Sequence, residues 1–249
     1  SSSLHSSDML PARVDGAKAN NENWLRPSTD KAPRMQVELN GYGFRYAALR
    51  RPIQNAATHE YVRTTVFVAP AAALIPPNDQ YNVANFNTPI DDEHTAFHFI
   101  AWGDPQTTPD TAAWRKFLHT EVGVDVDAAF HPARHVGNHF MQDRAAMKAG
   151  NFTGIPGIPN QDLAMWVGMG PIVDREHDRL GASDMAIVAF RRQMLDAVKS
   201  FANGGPAIGV GELQIPEAVC SFQGVIPKTT DWRVYSAQAL GVPGPELVT

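Results

Sequence analysis

With 249 residues, 43% of them hydrophobic, the chain can bury one sizeable core or at most two small ones. A net charge of -5, with no basic run longer than Arg50-Arg51, excludes a polyanion-binding surface. No apolar stretch is long enough for a transmembrane helix, and a single cysteine, Cys220, excludes an internal disulfide, a Cys-rich zinc site or a complete iron–sulfur cluster within these residues.

Residues 1–34 are polar and rich in Pro, Ser and Asn, and read as loop with one short helical turn. The opening SSSLHSSDML lacks the charged and apolar regions of a secretory signal. With the lone cysteine, that fits a reducing, bacterial-type cytoplasm. Ser1 reads as the start of a fragment, with an N-terminal portion expected before it. Strand patterns follow at 35–39 and 44–49, flanking Asn40-Gly41-Tyr42-Gly43, a hairpin signal because Asn and Gly tolerate positive φ. Residues 61–69, YVRTTVFVA, are β-branched and aromatic and are closed by Pro70. Residues 80–87 and 95–102 (TAFHFIAW) alternate similarly, so an antiparallel sheet of four or five strands is predicted.

Thr108-Pro109-Asp110 is a helix start, predicting a helix over 109–120. Residues 124–160, with many Gly, Pro, His and Asn, read as irregular. A long amphipathic helix is predicted over 183–203, with Ile187, Phe190, Met194, Val198 and Phe201 on its apolar side. Ser183 or Asp184 can cap it and Gly204-Gly205 ends it. Trp102, Trp114 and Trp166 read most simply as core residues. The sum is one α+β domain over 1–249, an antiparallel sheet against a long C-terminal helix. No strand–glycine-loop–helix fingerprint is present, so nucleotide binding is not expected.

Several polar residues carry candidate chemistry. His5 lies in a loop, where an ordinary hydrogen-bonding role is the plain alternative. Asp162 follows Pro159-Asn160-Gln161 and could simply cap a helical turn beginning there. Arg63 interrupts an apolar strand, where a lone cation is costly. It either binds an anion, faces solvent, or pairs with Glu60 or with Asp91 or Asp92. Arg26 lies in a loop beside Trp24 and Pro27, and Arg45, Arg50 and Arg51 read as surface residues. His131, His135 and His139 repeat at helical spacing, but Pro132 and Gly137 oppose a helix, so ordinary loop histidines are expected rather than a metal face. His94 and His98 share that spacing within a strand pattern, too far apart for one ion.

In combination, several of these segments resemble the catalytic, mononuclear-iron domain of Rieske-type aromatic ring-hydroxylating oxygenases, closest to the phthalate dioxygenase subgroup. That family carries an acidic residue, two spacers, a His, four spacers and a second His. SSSL and His5 supply the four spacers and the second His. The stretch from Gly154 through Gln161-Asp162 to Asp174-Arg175, the block LGASD before the long helix, YVRTTVFVAP, and ALIPPNDQYNVANFN continue the match in order over nearly the whole chain. The resemblance implies a helix-grip, START-like fold with the site between sheet and helix. It implies that His5 and Asp162 hold iron(II) with a first His immediately before Ser1, since two imidazoles and a carboxylate leave open positions on the metal. It implies that Arg26 and Arg63 hold the carboxylates of an aromatic dicarboxylate, a role that suits planar guanidinium. The implied activity is cis-dihydroxylation by dioxygen. Electrons would come from NADH through a flavin and iron–sulfur reductase and a Rieske 2Fe–2S cluster on an upstream domain, in a homotrimer or stacked trimers. Alternatives are O-demethylation or monooxygenation of a chlorobenzoate or methoxybenzoate, an iron-free apolar-ligand-binding module, and a zinc hydrolase built on the 131–139 histidines.

Overall fold

The computed structural model describes residues 4–5, 27–76, 81–106, 108–210 and 219–234. The hairpin forms where Asn and Gly place it. β1 (Arg34–Asn40) and β2 (Gly43–Arg50) pair antiparallel from Asn40 opposite Gly43 to Arg34 opposite Leu49. Asn40 Oδ1 accepts the Tyr42 N–H at 3.1 Å, the local bond that makes asparagine a turn residue. β3 (His59–Val68), the β-branched run, pairs with β2 along its length. β4 (Ala72–Ile75), β5 (Asn82–Pro89) and β6 (Thr95–Trp102) continue as a meander, and β7 (Phe222–Pro227) returns to β3. Among the described residues the sheet therefore has seven strands and is antiparallel throughout.

Two of these strands were not expected. β4 is short and alanine-rich, and β7 contains Gly224, ends at a proline and has only Val225-Ile226 as β-branched residues, so neither carries a long β-branched run. Both lie on the edge of β3 away from β2: β7 pairs with residues 59–64 and β4 with residues 66–68.

Among the described residues, four α-helices join the sheet: α1 (Thr111–Leu118), α2 (Arg144–Lys148), α3 (Ile158–Gly168) and α4 (Met185–Ala202). α1 starts at the predicted signal, with Asp110 accepting the Ala113 N–H at 2.8 Å. The segment expected to be irregular holds a 3-10 stretch at Val136–Met141 as well as α2. α4 lies where its periodicity places it. Asp184 stands at its N-cap position, but its carboxylate instead accepts the Gly181 N–H at 2.8 Å.

Period-2 alternation sorts the core. Ala47, Leu49, Val62 and Ile226 point to one face and pack with Trp232. The other face divides. Tyr81 and Val83 pack with Trp114, Leu118 and Ile158 from α1 and α3, while Phe44, Phe67 and Ala69 pack with Ala186 at the start of α4. α3 and α4 thus cover opposite ends of one sheet face, leaving a space between them.

Two core expectations are corrected. Of the three tryptophans expected in the core, Trp102, Trp114 and Trp166, only Trp114 is buried, its indole N–H donating to the Phe99 carbonyl at 2.9 Å. Trp102 and Trp166 are each 41% exposed. The apolar stripe of α4 is only partly used. Phe190 meets Phe67 edge-on at 5.2 Å, but Val198 and Phe201 remain more than 60% exposed. The helix meets the sheet at β1 and β2 through Ala186 and Ala189, so its C-terminal half lies outside the packed area.

Candidate metal and substrate site

The junction that carries Asp162 is built by glycine and proline. Gly157 has φ 83°, and a Cβ there would come within 2.7 Å of the Leu118 carbonyl oxygen. Glycine alone lets α3 begin so close to the end of α1. Asn160 fastens the same contact, its Nδ2 donating to the His119 and Pro156 carbonyls at 3.1 Å each. Pro159 occupies the first turn, where a missing N–H breaks no helical bond. The expected helical turn beginning at Asp162 is therefore corrected: the helix begins at Ile158, and Asp162 lies inside it rather than capping it.

Within α3, consecutive residues grip one ring. His5, 3% exposed, places Nδ1 2.8 Å from Gln161 Oε1 and Nε2 3.1 Å from Asp162 Oδ1. The predicted pair is thus brought together from distant parts of the chain. Gln161 is buried to 1% exposure, and its Nε2 donates to the Ile155 carbonyl at 2.8 Å. Asp162 keeps 30% of its side chain exposed, facing a cavity.

The cavity has a volume of about 520 Å³ and is lined by His5, by Ile158, Pro159 and Asp162 of α3, and by Ala186 and Ile187 of α4. Its floor is alternate residues of the sheet: Tyr46, Ala48 and Arg50 of β2, Arg63 and Thr65 of β3, Asn85 of β5, and Phe97 and Phe99 of β6. A volume of this order suits a small organic ligand. Phe97, Phe99, Ile75 and Ile187 give it apolar and aromatic walls, suited to a flat ring.

Two arginines also line the cavity. Arg63 is 6% exposed. Its Nη1 donates to Tyr61 Oη at 3.2 Å and Gln223 Oε1 at 3.0 Å, and its Nη2 donates to the Pro76 carbonyl at 2.8 Å. The solvent-facing alternative is thereby excluded. Glu60 pairs instead with Arg34 at 2.9 Å and Asp91 with His94. Arg50, expected at the surface, is corrected. It is 7% exposed and lines the same cavity, because it shares the face of Tyr46 and Ala48. In the ladder Arg50 stands opposite Tyr61 and Arg63 opposite Ala48, so the two guanidiniums are diagonal neighbours. Burial pushes the Arg50 pKa down, and the positive charge of Arg63 pushes it further. An anion between them would offset the burial and the mutual repulsion. Arg26 lies outside the described residues.

His5 and Asp162 suit a divalent ion by their chemistry. The Ile155 carbonyl and the Gln161 amide together direct a ring N–H towards Oε1, which in the neutral ring leaves Nε2 as a lone-pair donor facing a carboxylate oxygen. Two such donors 3.1 Å apart repel unless a proton or a cation lies between them. Cis ligands each about 2.1 Å from one ion lie about 3.0 Å apart, close to that spacing. Among the described residues no third His, Cys, Asp or Glu joins them.

The histidine triplet is not such a centre. All three side chains are exposed; His131 Nδ1 lies 3.0 Å from Asp127, and His135 Nδ1 accepts the Gly137 N–H at 3.1 Å. Reasoning from sequence missed two residues of the site. Arg50 could have been found by counting parity along β2 from Tyr46, given the hairpin register. Gln161 carries no signal beyond its place next to Asp162.

Comparison with known proteins bears on this geometry. A family model described as "LigXa C-terminal domain like" matches residues 1–244. The chain is 68% identical over 238 residues to the phthalate 4,5-dioxygenase oxygenase subunit of Pseudomonas putida, covering 96% of this chain and 54% of that protein. It is 32% identical over 231 residues to the 3-chlorobenzoate-3,4-dioxygenase oxygenase subunit of Comamonas testosteroni, covering 87% of this chain and 53% of that protein. The chain spans about half the length of the curated relatives it matches.

Proposed function

The chain belongs to the LigXa C-terminal domain-like family, and we propose that it is the catalytic domain of a Rieske-type dioxygenase that cis-dihydroxylates an aromatic dicarboxylate such as phthalate. The observation that carries this is the His5–Asp162 pair, 3.1 Å apart, lining a cavity that Arg63 and Arg50 also line. His5 Nε2 and Asp162 Oδ1 would hold iron(II), together with an imidazole outside the described residues. When bound there, iron(II) supplies the activation of dioxygen for addition to an aromatic ring. A 2Fe–2S Rieske cluster on an upstream domain and a flavin/iron–sulfur reductase would deliver electrons from NADH, in a trimeric or stacked-trimer assembly.

The residues of the chain supply binding and orientation. The guanidiniums of Arg63 and Arg50 pair with carboxylates and offset their desolvation. Phe97 and Phe99 flank the cavity and exclude water from the ring. Fixing the carboxylates on β2 and β3 would hold the ring in the cavity that His5 and Asp162 also line, a positioning effect rather than a chemical one.

The second arginine favours a dianion over the monocarboxylate named for the Comamonas testosteroni relative. A single-turnover reaction of the full-length oxygenase tests the reading, with phthalate and a methoxybenzoate offered side by side. A cis-dihydrodiol retaining both carboxylates is expected from phthalate. Conversion of only the methoxybenzoate, to a phenol, would move the activity to O-demethylation.

A further inference from the structure

We infer that Gln161 is the positioning residue of the metal centre: it holds His5 in the tautomer that offers Nε2 as a lone pair. The inference rests on the metal reading of His5 and Asp162 proposed above. It goes beyond that reading in assigning a role to a residue that binds neither metal nor substrate.

Gln161 is among the largest fully buried side chains of the protein. Its amide has one orientation that satisfies its neighbours. Nε2 donates to the Ile155 carbonyl at 2.8 Å, and a carbonyl can only accept. Oε1 therefore turns towards His5 Nδ1, also at 2.8 Å. An amide oxygen likewise only accepts, so Nδ1 must carry a hydrogen, and in the neutral ring Nε2 is left with the lone pair. That nitrogen is the one facing Asp162 Oδ1 at 3.1 Å.

The carbonyl that starts this chain is itself fixed. Thr153 is buried, accepts the Ile155 N–H through Oγ1 at 3.1 Å, and donates that hydroxyl back to the Ile155 carbonyl at 3.1 Å. Three buried groups are therefore polarised in one direction, from imidazole N–H to amide to carbonyl, which raises the donor strength of the far ring nitrogen. Gln161 and Asp162 are consecutive in α3, so one helical turn grips both nitrogens of one ring. Any shift of α3 moves the imidazole and the carboxylate together, preserving their spacing.

Two variants of the full-length oxygenase subunit separate positioning from simple packing. Gln161→Leu removes the hydrogen bonds to His5 and to the Ile155 carbonyl at similar volume. Gln161→Glu still accepts from Nδ1–H but cannot donate to the Ile155 carbonyl. Cobalt(II), titrated by equilibrium dialysis into protein stripped of mononuclear metal and counted apart from the cluster iron, reports affinity; thermal melting reports stability. The leucine variant should bind cobalt about 10- to 100-fold more weakly. The glutamate variant should bind within a few-fold of the parent although its melting temperature falls. Leucine binding within twofold of the parent, or equal losses in both variants tracking the fall in melting temperature, would overturn the role. Asp162→Ala is the control beneath it. If that variant binds cobalt as the parent does, the metal site itself is absent and the inference goes with it.

Discussion

Replacing Arg63 by leucine separates the stability of the sheet from recognition of charge. On the stability side, the variant loses hydrogen bonds to Tyr61, Gln223 and the Pro76 carbonyl. The Tyr61 hydroxyl keeps its own bond to Gln223 Oε1 at 2.6 Å, so part of the network survives. Hydrogen bonds from a charged donor contribute about 1.5–3 kcal/mol each. Against that, the variant no longer buries a cation diagonal to Arg50, which offsets some of the loss. The net destabilisation should be about 1–3 kcal/mol. On the binding side, truncating one partner of a desolvated charge pair costs about 3 kcal/mol or more. That corresponds to a rise in Kd of about 150-fold. Calorimetric titration of the full-length oxygenase with phthalate and with a neutral arene of similar size reads the difference. The dicarboxylate should weaken by two orders of magnitude and the arene by less than about threefold. Equal weakening of both would show that Arg63 serves the sheet and not the ligand.

Two further outcomes follow from the same geometry. Arg50→Gln should weaken phthalate about tenfold, the cost of one charged hydrogen bond, while changing benzoate little; equal effects on both acids would return Arg50 to a structural role. The hydrogen bond from Arg191 at 2.7 Å, with Arg175 adding to it, holds the Asp178 carboxyl below the usual carboxylate range. Because the folded value is depressed, its stabilisation is full above about pH 4 and is lost as pH falls through the folded value. The melting temperature of the parent should therefore exceed that of Asp178→Asn near neutrality, and the gap should close in acid. A gap unchanged down to about pH 2 would contradict the pairing.

How much of this was legible in the sequence depended on whether the signal was local. The β1–β2 hairpin, β3, β6, α1 and α4 were readable because Asn-Gly, β-branched runs, an Asp cap and a 3.6-residue period act within a few residues of each other. β4 and β7 exist because β3 offers them an edge, a long-range cause that no window of residues contains. The start of α3 was misplaced because prolines read as breakers unless they fall in the first turn, and here Pro159 does. The exposed half of α4 shows the converse: an apolar period announces a face but not what covers it. For the site, His5, Asp162 and Arg63 entered through resemblance and through a charge inside an apolar strand. Arg50 needed the register of two strands, and Gln161 needed the fold. A buried amide has no sequence signature until its two partners are in place.

The central claim is that His5 and Asp162 together hold a mononuclear ion. Iron analysis of the full-length oxygenase and its Asp162→Ala variant, with the absorption spectrum of the Rieske cluster recorded on the same samples, tests it most directly. The account predicts that the variant loses roughly one iron per subunit and all turnover while the cluster spectrum is unchanged. A variant that keeps the full iron content and still turns over would contradict it.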